Sequence, residues 1–294
     1  MAFISTVSLV LSITIVGGIA QPNQASLISL DTSLSYPNYW HSPSNRFAFG
    51  LYKQGSGFAV GIWLVDRENE TIVWTANRDK PPVTSNARVE FARDGKLLLR
   101  TDQGPEQVIV NAEVPVSYAA MGNSGSFELY DREYNIVWKS FDYPTDTILG
   151  GQTLLPGKEL YSSFNQSDHS TGRFLLAMQS DGNLVSYPES SEEKAADSYW
   201  NTGTSGSGSN PKGIFFVLYL NSTGRLILVN QINSATVYTL YEESAINFNN
   251  NNNNTIYRAL LMLMEFSDCT LTPTMRVETT EYLFCGQHYK AHVR

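Results

Sequence analysis

Four short segments share one pattern: a small polar residue, a glycine, one variable residue and then an apolar strand. They are Asp94-Gly-Lys-Leu-Leu-Leu99, Ser124-Gly-Ser-Phe-Glu-Leu129, Asp181-Gly-Asn-Leu-Val185 and Thr223-Gly-Arg-Leu-Ile-Leu228. Glycine lets the backbone take φ > 0 in a tight turn, and the strand that follows packs one face inward. A recurring unit of this kind points to pseudo-symmetric sheets packed about an axis, as in prism-like β folds. The rest of the chain agrees. Apolar runs are short and alternating, as in Arg46 to Tyr52, Gly61 to Val65 and Thr71 to Trp74, with Gly, Asn, Asp and Pro clusters between them. Helical periodicity is scarce, so the expected class is all-β.

Composition narrows the function classes. The 294 residues carry 20 Lys+Arg against 28 Asp+Glu, a net charge of −8, and no basic run. That balance argues against nucleic acid and against an anionic membrane surface as partners. The two cysteines, Cys269 and Cys285, both lie near the end, which excludes a disulfide-dense scaffold upstream of them. Met1 to Ala20 is apolar and uncharged, with small residues at Gly18 and Ala20 ahead of Gln21. It reads as a cleaved signal peptide, and no later segment is long and apolar enough to span a bilayer. A secreted, extracellular product is expected. Four sequons fit that route, at Asn69, Asn165, Asn221 and Asn253. The turn-rich stretch Lys139 to Gln152 places a domain boundary near residue 150. The expected organisation is therefore a first domain over 21–150 and a second, incomplete one over 151–261. Gly203 to Gly208 reads as a flexible surface loop, and Asn249 to Asn254 as low-complexity sequence.

The densest polar array is Gln179-Ser-Asp-Gly-Asn-Leu-Val-Ser-Tyr187. In an extended strand its alternate residues Gln179, Asp181, Asn183, Val185 and Tyr187 share one face, spread over roughly 25–30 Å at most. Two amides, a carboxylate and a phenol offer the donors and acceptors that vicinal sugar hydroxyls need, and Val185 suits the C–H patch of a pyranose ring. The same spacing also describes a half-exposed strand with a solvated polar face, in which Asp181 and Asn183 are turn residues.

The nine residues match at all five defined positions the mannose-binding motif of bulb-type lectins, Gln-x-Asp-x-Asn-x-Val-x-Tyr. With Ser42 to Gly50, Ile72 to Asp79 and Trp138 to Thr147, the chain over about residues 30 to 260 resembles the ectodomain of plant G-type lectin S-receptor-like serine/threonine kinases. The resemblance implies tandem bulb-type lectin domains of the β-prism II type. It also implies that Gln179, Asp181, Asn183 and Tyr187 hydrogen-bond α-mannose, with Val185 in apolar contact. Expected partners are mannose-type glycans or glycoproteins, and receptor ectodomains. The other repeats depart from the motif. The Asp94 copy has Ala92, Lys96, Leu98 and Arg100 at the motif places, and the Gly224 copy has Arg225 and aliphatics. The Gly125 copy reads as carrying one extra residue, with Met121, Asn123 and Glu128 at or near motif places. One intact copy remains, and avidity in shallow lectin sites comes from several engaging together. The alternative is a fold kept for protein recognition or receptor dimerisation without sugar.

No kinase signature, Ser/His/Asp set or metal triad suggests itself, so no enzyme activity, cofactor or metal is expected. His41 and His169 stand alone, and the pair His288/His292 lies in the tail. After Tyr257-Arg258-Ala259 the β pattern is expected to stop, and the sequence from Leu260 on lacks the upstream strand-and-turn grammar. Back-translating Met262 to Thr270 with one preceding guanine, and regrouping the triplets, can yield Asp-Ala-Asp-Gly-Val-Phe-Arg-Leu-Tyr for a suitable choice of codons, a stretch that contains another copy of the repeat. Residues 262–294 are therefore expected to be an aberrant, out-of-frame tail on a truncated receptor ectodomain.

Overall fold

The computed structural model describes residues 27–65, 71–102, 104–190, 195–206, 216–242, 255–265 and 271–281. Each of the four glycine turns closes a five-residue hairpin of the same construction. Its first N–H donates to the fifth carbonyl: Ala92 to Lys96, Gly122 to Ser126, Gln179 to Asn183 and Asn221 to Arg225, at 2.8–3.0 Å. The glycine is the fourth residue each time, with φ of +83° at Gly95, +91° at Gly125, +90° at Gly182 and +83° at Gly224. At Gly125 a Cβ would also lie 2.4 Å from Leu149 Cδ1, so the turn needs glycine for packing as well as for conformation. The expectation of an extra residue in the Gly125 copy is corrected by this geometry. Its motif places are Gly122, Ser124, Ser126, Glu128 and Tyr130, because the register runs from the glycine and not from Met121.

Between these turns the chain builds six antiparallel sheets in two units of one topology. The first unit opens with three separate strands, β1 (Ile28–Ser29), β2 (Thr32–Ser35) and β3 (Tyr39–His41). Three meanders follow. The first is β4 (Phe47–Gln54), β5 (Gly57–Leu64) and β6 (Thr71–Thr75), and the second is β7 (Arg88–Phe91), β8 (Leu97–Arg100) and β9 (Gln107–Val110). The third is β10 (Tyr118–Met121), β11 (Phe127–Tyr130) and β12 (Ile136–Lys139). The opening strands join the meanders in reverse order: β3 pairs β4, β2 pairs β7 and β1 pairs β10. Alternate residues of all three sheets point inward to one core, among them Phe49, Ile62, Phe91, Leu97, Met121 and Phe127.

The second unit repeats the plan with β13 (Thr147–Leu149), β14 (Thr153–Leu154) and β15 (Lys158–Ser163). Its meanders are β16 (Thr171–Met178), β17 (Leu184–Pro188) and β18 (Trp200–Asn201), then β19 (Phe216–Leu220), β20 (Leu226–Asn230) and β21 (Thr236–Tyr241). The last consists of β22 (Thr255–Glu265) and β23 (Leu271–Glu281). Again β15 pairs β16, β14 pairs β19 and β13 pairs β22. Two tandem β-prism units of bulb-lectin type result. The second starts at Thr147, just ahead of the expected boundary.

The strand pattern does not stop at Ala259. β22 runs to Glu265 and pairs with β23 from Thr255↔Glu281 to Glu265↔Leu271. Met275 and Val277 alternate with Arg276 and Glu278, which is strand periodicity that the sequence reading missed. Val277 belongs to the second core, Met275 packs on it, and Arg258 donates to Glu278. Cys269, Cys285, His288, His292, residues 1–20 and the asparagine run lie outside the described residues.

The two units are joined by a buried polar clasp. Arg78, just after β6, sends its guanidinium into the β15–β16 hairpin. Nε donates to His169 O (2.8 Å), Nη1 to Tyr161 O (3.0 Å), and Nη2 to Ser162 O (3.2 Å) and Ser170 O (3.1 Å). The neighbouring Asp79 carboxylate accepts from the Thr171 N–H (2.8 Å) and hydroxyl (3.0 Å). Behind them lies Asp146, which accepts from the hydroxyls of Thr147 (2.9 Å) and Ser163. Burial pushes the Asp146 carboxyl up. The His169 contact, the Arg78 charge and the Ser163 hydroxyl outweigh it and hold the group below the usual carboxylate range. Tyr52 completes the clasp through Gln54 (2.6 Å) and Thr75 (2.9 Å), and burial raises its hydroxyl pKa.

Truncating Arg78 takes a donor from four carbonyls, of which Ser170 O keeps the Phe164 N–H (2.9 Å), and removes the guanidinium charge beside Asp146. Arg78→Ala is expected to lower unfolding stability by about 3 kcal/mol or more, measured by denaturant titration. Lysine, with three donors, should recover little of it. Because the Asp146 pKa is lowered on folding, its contribution is present above the unfolded value near ~3.9 and is lost as pH falls through the folded value. Stability measured from pH 7 down to pH 2 should fall less steeply below about pH 4 in Asp146→Asn. An unchanged acid limb would show that this carboxylate is not the titrating group.

Candidate functional site

The motif occupies the β16–β17 hairpin. Gln179 to Asn183 form the turn itself, so the array does not extend along a single strand. The turn folds it back, with Met178↔Leu184 and Ala177↔Val185 in register. Local chemistry explains why. Gly182 supplies the positive φ, and Asp181 Oδ1 accepts the Asn183 N–H at 2.9 Å, an Asx-type closure. Folding brings Gln179 within reach of a residue eight positions on: its Nε2 donates to the Tyr187 hydroxyl at 2.9 Å.

The segment after β18 completes the site. Residues 202–206, of which Gly203 to Gly206 read in sequence as part of a flexible surface loop, dock on the turn. Ser205 Oγ donates to Asp181 Oδ2 (2.8 Å), and the Gly206 N–H donates to the Asp181 carbonyl (2.9 Å). Asn183 Oδ1 accepts from Thr202 Oγ1 (3.0 Å) and from the Thr204 N–H (3.2 Å). Thr204 Oγ1 donates to Gly182 O (2.7 Å). Thr202, Thr204 and Ser205 are thus site residues that the motif did not reveal. The alternation of hydroxyl residues in Thr202-Gly-Thr-Ser205 was the available signal. These bonds engage Asn183 through its carbonyl oxygen, which turns its amide donors the other way, and a carboxylate has about four lone-pair sites in all.

The apolar side of the motif behaves differently from expectation. Val185 and Tyr187 are each 2% exposed and pack with Leu175, Ala177 and Tyr161 on the outer face of the sheet. Contact of Val185 with a pyranose therefore requires neighbouring side chains to move. The accessible part of the site is a cleft of about 270 Å³ between the β15 and β16 hairpin ends, walled by Gly157, Lys158, Glu159, Gln179 and Asp181.

Two of the four sequons fall on described residues. Asn165 sits on an exposed turn, where its Oδ1 accepts from the Ser167 hydroxyl at 3.0 Å. Asn221 opens the fourth glycine hairpin and accepts from the Thr223 hydroxyl at 2.9 Å. No group of three potential metal ligands occurs among the described residues. His169 is not isolated but belongs to the clasp. Its Nδ1 faces both Ser163 Oγ (3.3 Å) and Asp146 Oδ2 (4.0 Å), and one ring nitrogen serving both cannot relay a proton between them.

Residues 71–160 match the family of D-mannose binding lectins. The match includes Arg78, Asp79 and Asp146 and the start of the second unit, and it ends before Gln179. The likeness extends further along the chain to plant G-type lectin S-receptor-like serine/threonine-protein kinases. LECRK3 of Oryza sativa subsp. indica is 36% identical over 219 residues, 69% of this chain. RLK1 of Arabidopsis thaliana is 28% identical over 207 residues, 67% of this chain. The chain spans about a quarter of the length of these relatives (26% and 25%). Among solved structures, the mannose-specific agglutinin from snowdrop (Galanthus nivalis) bulbs, complexed with methyl-α-D-mannoside, aligns at 20% identity. That alignment covers 49% of this chain and 99% of the lectin, with a TM-score of 0.28.

Thr204→Val keeps shape but removes the hydroxyl bonded to the Gly182 carbonyl, at a cost of about 1 kcal/mol. Hydrogen exchange at the Gly206 amide is expected to accelerate in this variant while exchange in β4 and β5 stays unchanged.

Proposed function

We propose that this chain is a non-enzymatic, extracellular carbohydrate-recognition module that binds mannose-type glycans through the hairpin Gln179–Tyr187. The observation that carries this reading is the arrangement at the turn. Gln179, Asp181 and Asn183 converge at one hairpin end beside an open cleft, each already oriented by a hydrogen bond. Preorganised polar groups lose little entropy on binding. Gln179 and Asp181 border the cleft, and the Asn183 amide supplies donors beside them. The D-mannose binding lectin match supports the same class. The lectin reading calls for no cofactor or metal, and the secretory route rests on the leader and sequons.

A second reading, protein recognition or receptor dimerisation without sugar, is favoured by one observation. Val185 and Tyr187 are covered, while other aromatics of the same unit are exposed: Trp200 of β18 meets Tyr238 of β21 at 6.3 Å, and Tyr199 precedes Trp200. Glycan-array screening and calorimetry with methyl α-mannoside separate the two. The wild-type chain is expected to bind mannose-type glycans, and Asp181→Ala to weaken binding by about 10- to 100-fold, as for the loss of a charge-assisted hydrogen bond. A wild-type chain silent towards every glycan overturns the lectin reading and leaves the second.

A further inference from the structure

The motif cleft has a larger neighbour. Lys158 walls the motif cleft, and its ammonium lies 5.0 Å over the Tyr143 ring. Tyr143 in turn lines a cleft of about 620 Å³ where the two units meet. This lies within the roughly 300–1,000 Å³ of small-molecule sites and, like many of them, at a boundary between structural units. Its volume exceeds what one pyranose ring needs.

The walls of the larger cleft are rigid and mixed in character. Trp138 stacks on Tyr143 at 5.6 Å and 14°, and Trp74 meets Trp138 edge-on at 6.2 Å. The Trp74 indole N–H donates to Tyr143 O at 2.7 Å, which fixes the aromatic wall to the inter-unit segment. Tyr143 remains 52% exposed. The same cleft is also lined by the exposed Asn77 and Asn111, together with Ala76 and Ile109. Asn77 Nδ2 donates to Val108 O (3.0 Å), and a wholly apolar ligand offers nothing to the other polar atoms of these two side chains. An anion is not selected either, because Arg78 is turned into the second unit and Asp79 stands beside Lys80. Neutral polyhydroxylated rings satisfy both kinds of lining group: hydroxyls towards the amides, C–H faces towards the aromatic wall.

We propose that the two clefts form one extended oligosaccharide site. The hairpin takes the terminal hexose, the inter-unit cleft takes the sugars that follow it in the same glycan, and Lys158 and Tyr143 mark the join. This inference rests on the lectin reading above and adds the length of the ligand to it. With a single intact motif, a longer ligand contact supplies affinity that multivalency supplies elsewhere.

Calorimetry on the full chain with methyl α-mannoside and with a free α-linked trimannoside tests it. Wild type is expected to bind the trimannoside about tenfold tighter than the monosaccharide. Tyr143→Ala should erase that gain, and Asn111→Ala should remove part of it. Thermal unfolding of both variants checks that they are folded, and Asn111, being exposed, keeps the test open if Tyr143→Ala is not. Equal wild-type affinity for the two sugars overturns the extended site and leaves the lectin reading standing. The extended site also falls, alone, if Tyr143→Ala and Asn111→Ala leave the trimannoside gain intact, or weaken both sugars equally. Binding of neither sugar by wild type overturns both.

Discussion

The Arg78 guanidinium organises the molecule. Among the described residues it is the one group of the first unit that reaches four main-chain carbonyls of the second, and those carbonyls belong to β15 and to its connection with β16. At the open end of the β15–β16 hairpin, Lys158 and Glu159 lie beside the Gln179–Asn183 turn that follows β16. A planar fork of five donors suits the task, because its geometry imposes one orientation on the loop that surrounds it. Burial lowers the pKa of the guanidinium, and the charges of Asp146 and Asp79 oppose that effect. The clasp is therefore a set of mutually dependent charges in a poorly solvated place. Such sets are weak evidence for net stability but strong determinants of geometry.

Apolar packing reinforces the clasp. Leu149 of β13 and Ile256 of β22 reach into the core of the first unit, and Leu149 fills the space left by Gly125. The units consequently share side chains as well as hydrogen bonds. The cleft at their junction inherits that rigidity, since Trp74 lies in β6 just ahead of Arg78, and Tyr143 stands just ahead of Asp146. The cleft and the structural joint are built from the same few segments.

Much of the fold was legible in sequence because glycine turns and period-2 alternation are local. The four hairpins, the all-β class and the two-unit plan follow from them. What escaped has identifiable causes. The Gly125 hairpin looked one residue too long because Met121 resembles a motif position only if counted from the wrong end. The strand β23 lacks the glycine turn that marked its relatives, although Met275 and Val277 keep the alternation. The segment Thr202–Gly206 looked like a linker because its small polar residues are also those that pair with a carboxylate and an amide.

The candidate site shows the division most clearly. Sequence alone determined which groups are available at the motif, a carboxylate, two amides and a phenol, because these are side-chain chemistries at a fixed spacing. It also determined that a glycine turn sits among them. Only the tertiary structure decided which of those groups face an open cleft and which are covered. Val185 and Tyr187 are sealed by Tyr161, Leu175 and Ala177 from neighbouring strands, and Asp181 and Asn183 are engaged by the distant segment Thr202–Gly206. Burial and hydrogen-bond saturation are properties of the neighbours a residue acquires on folding, and no local pattern records them.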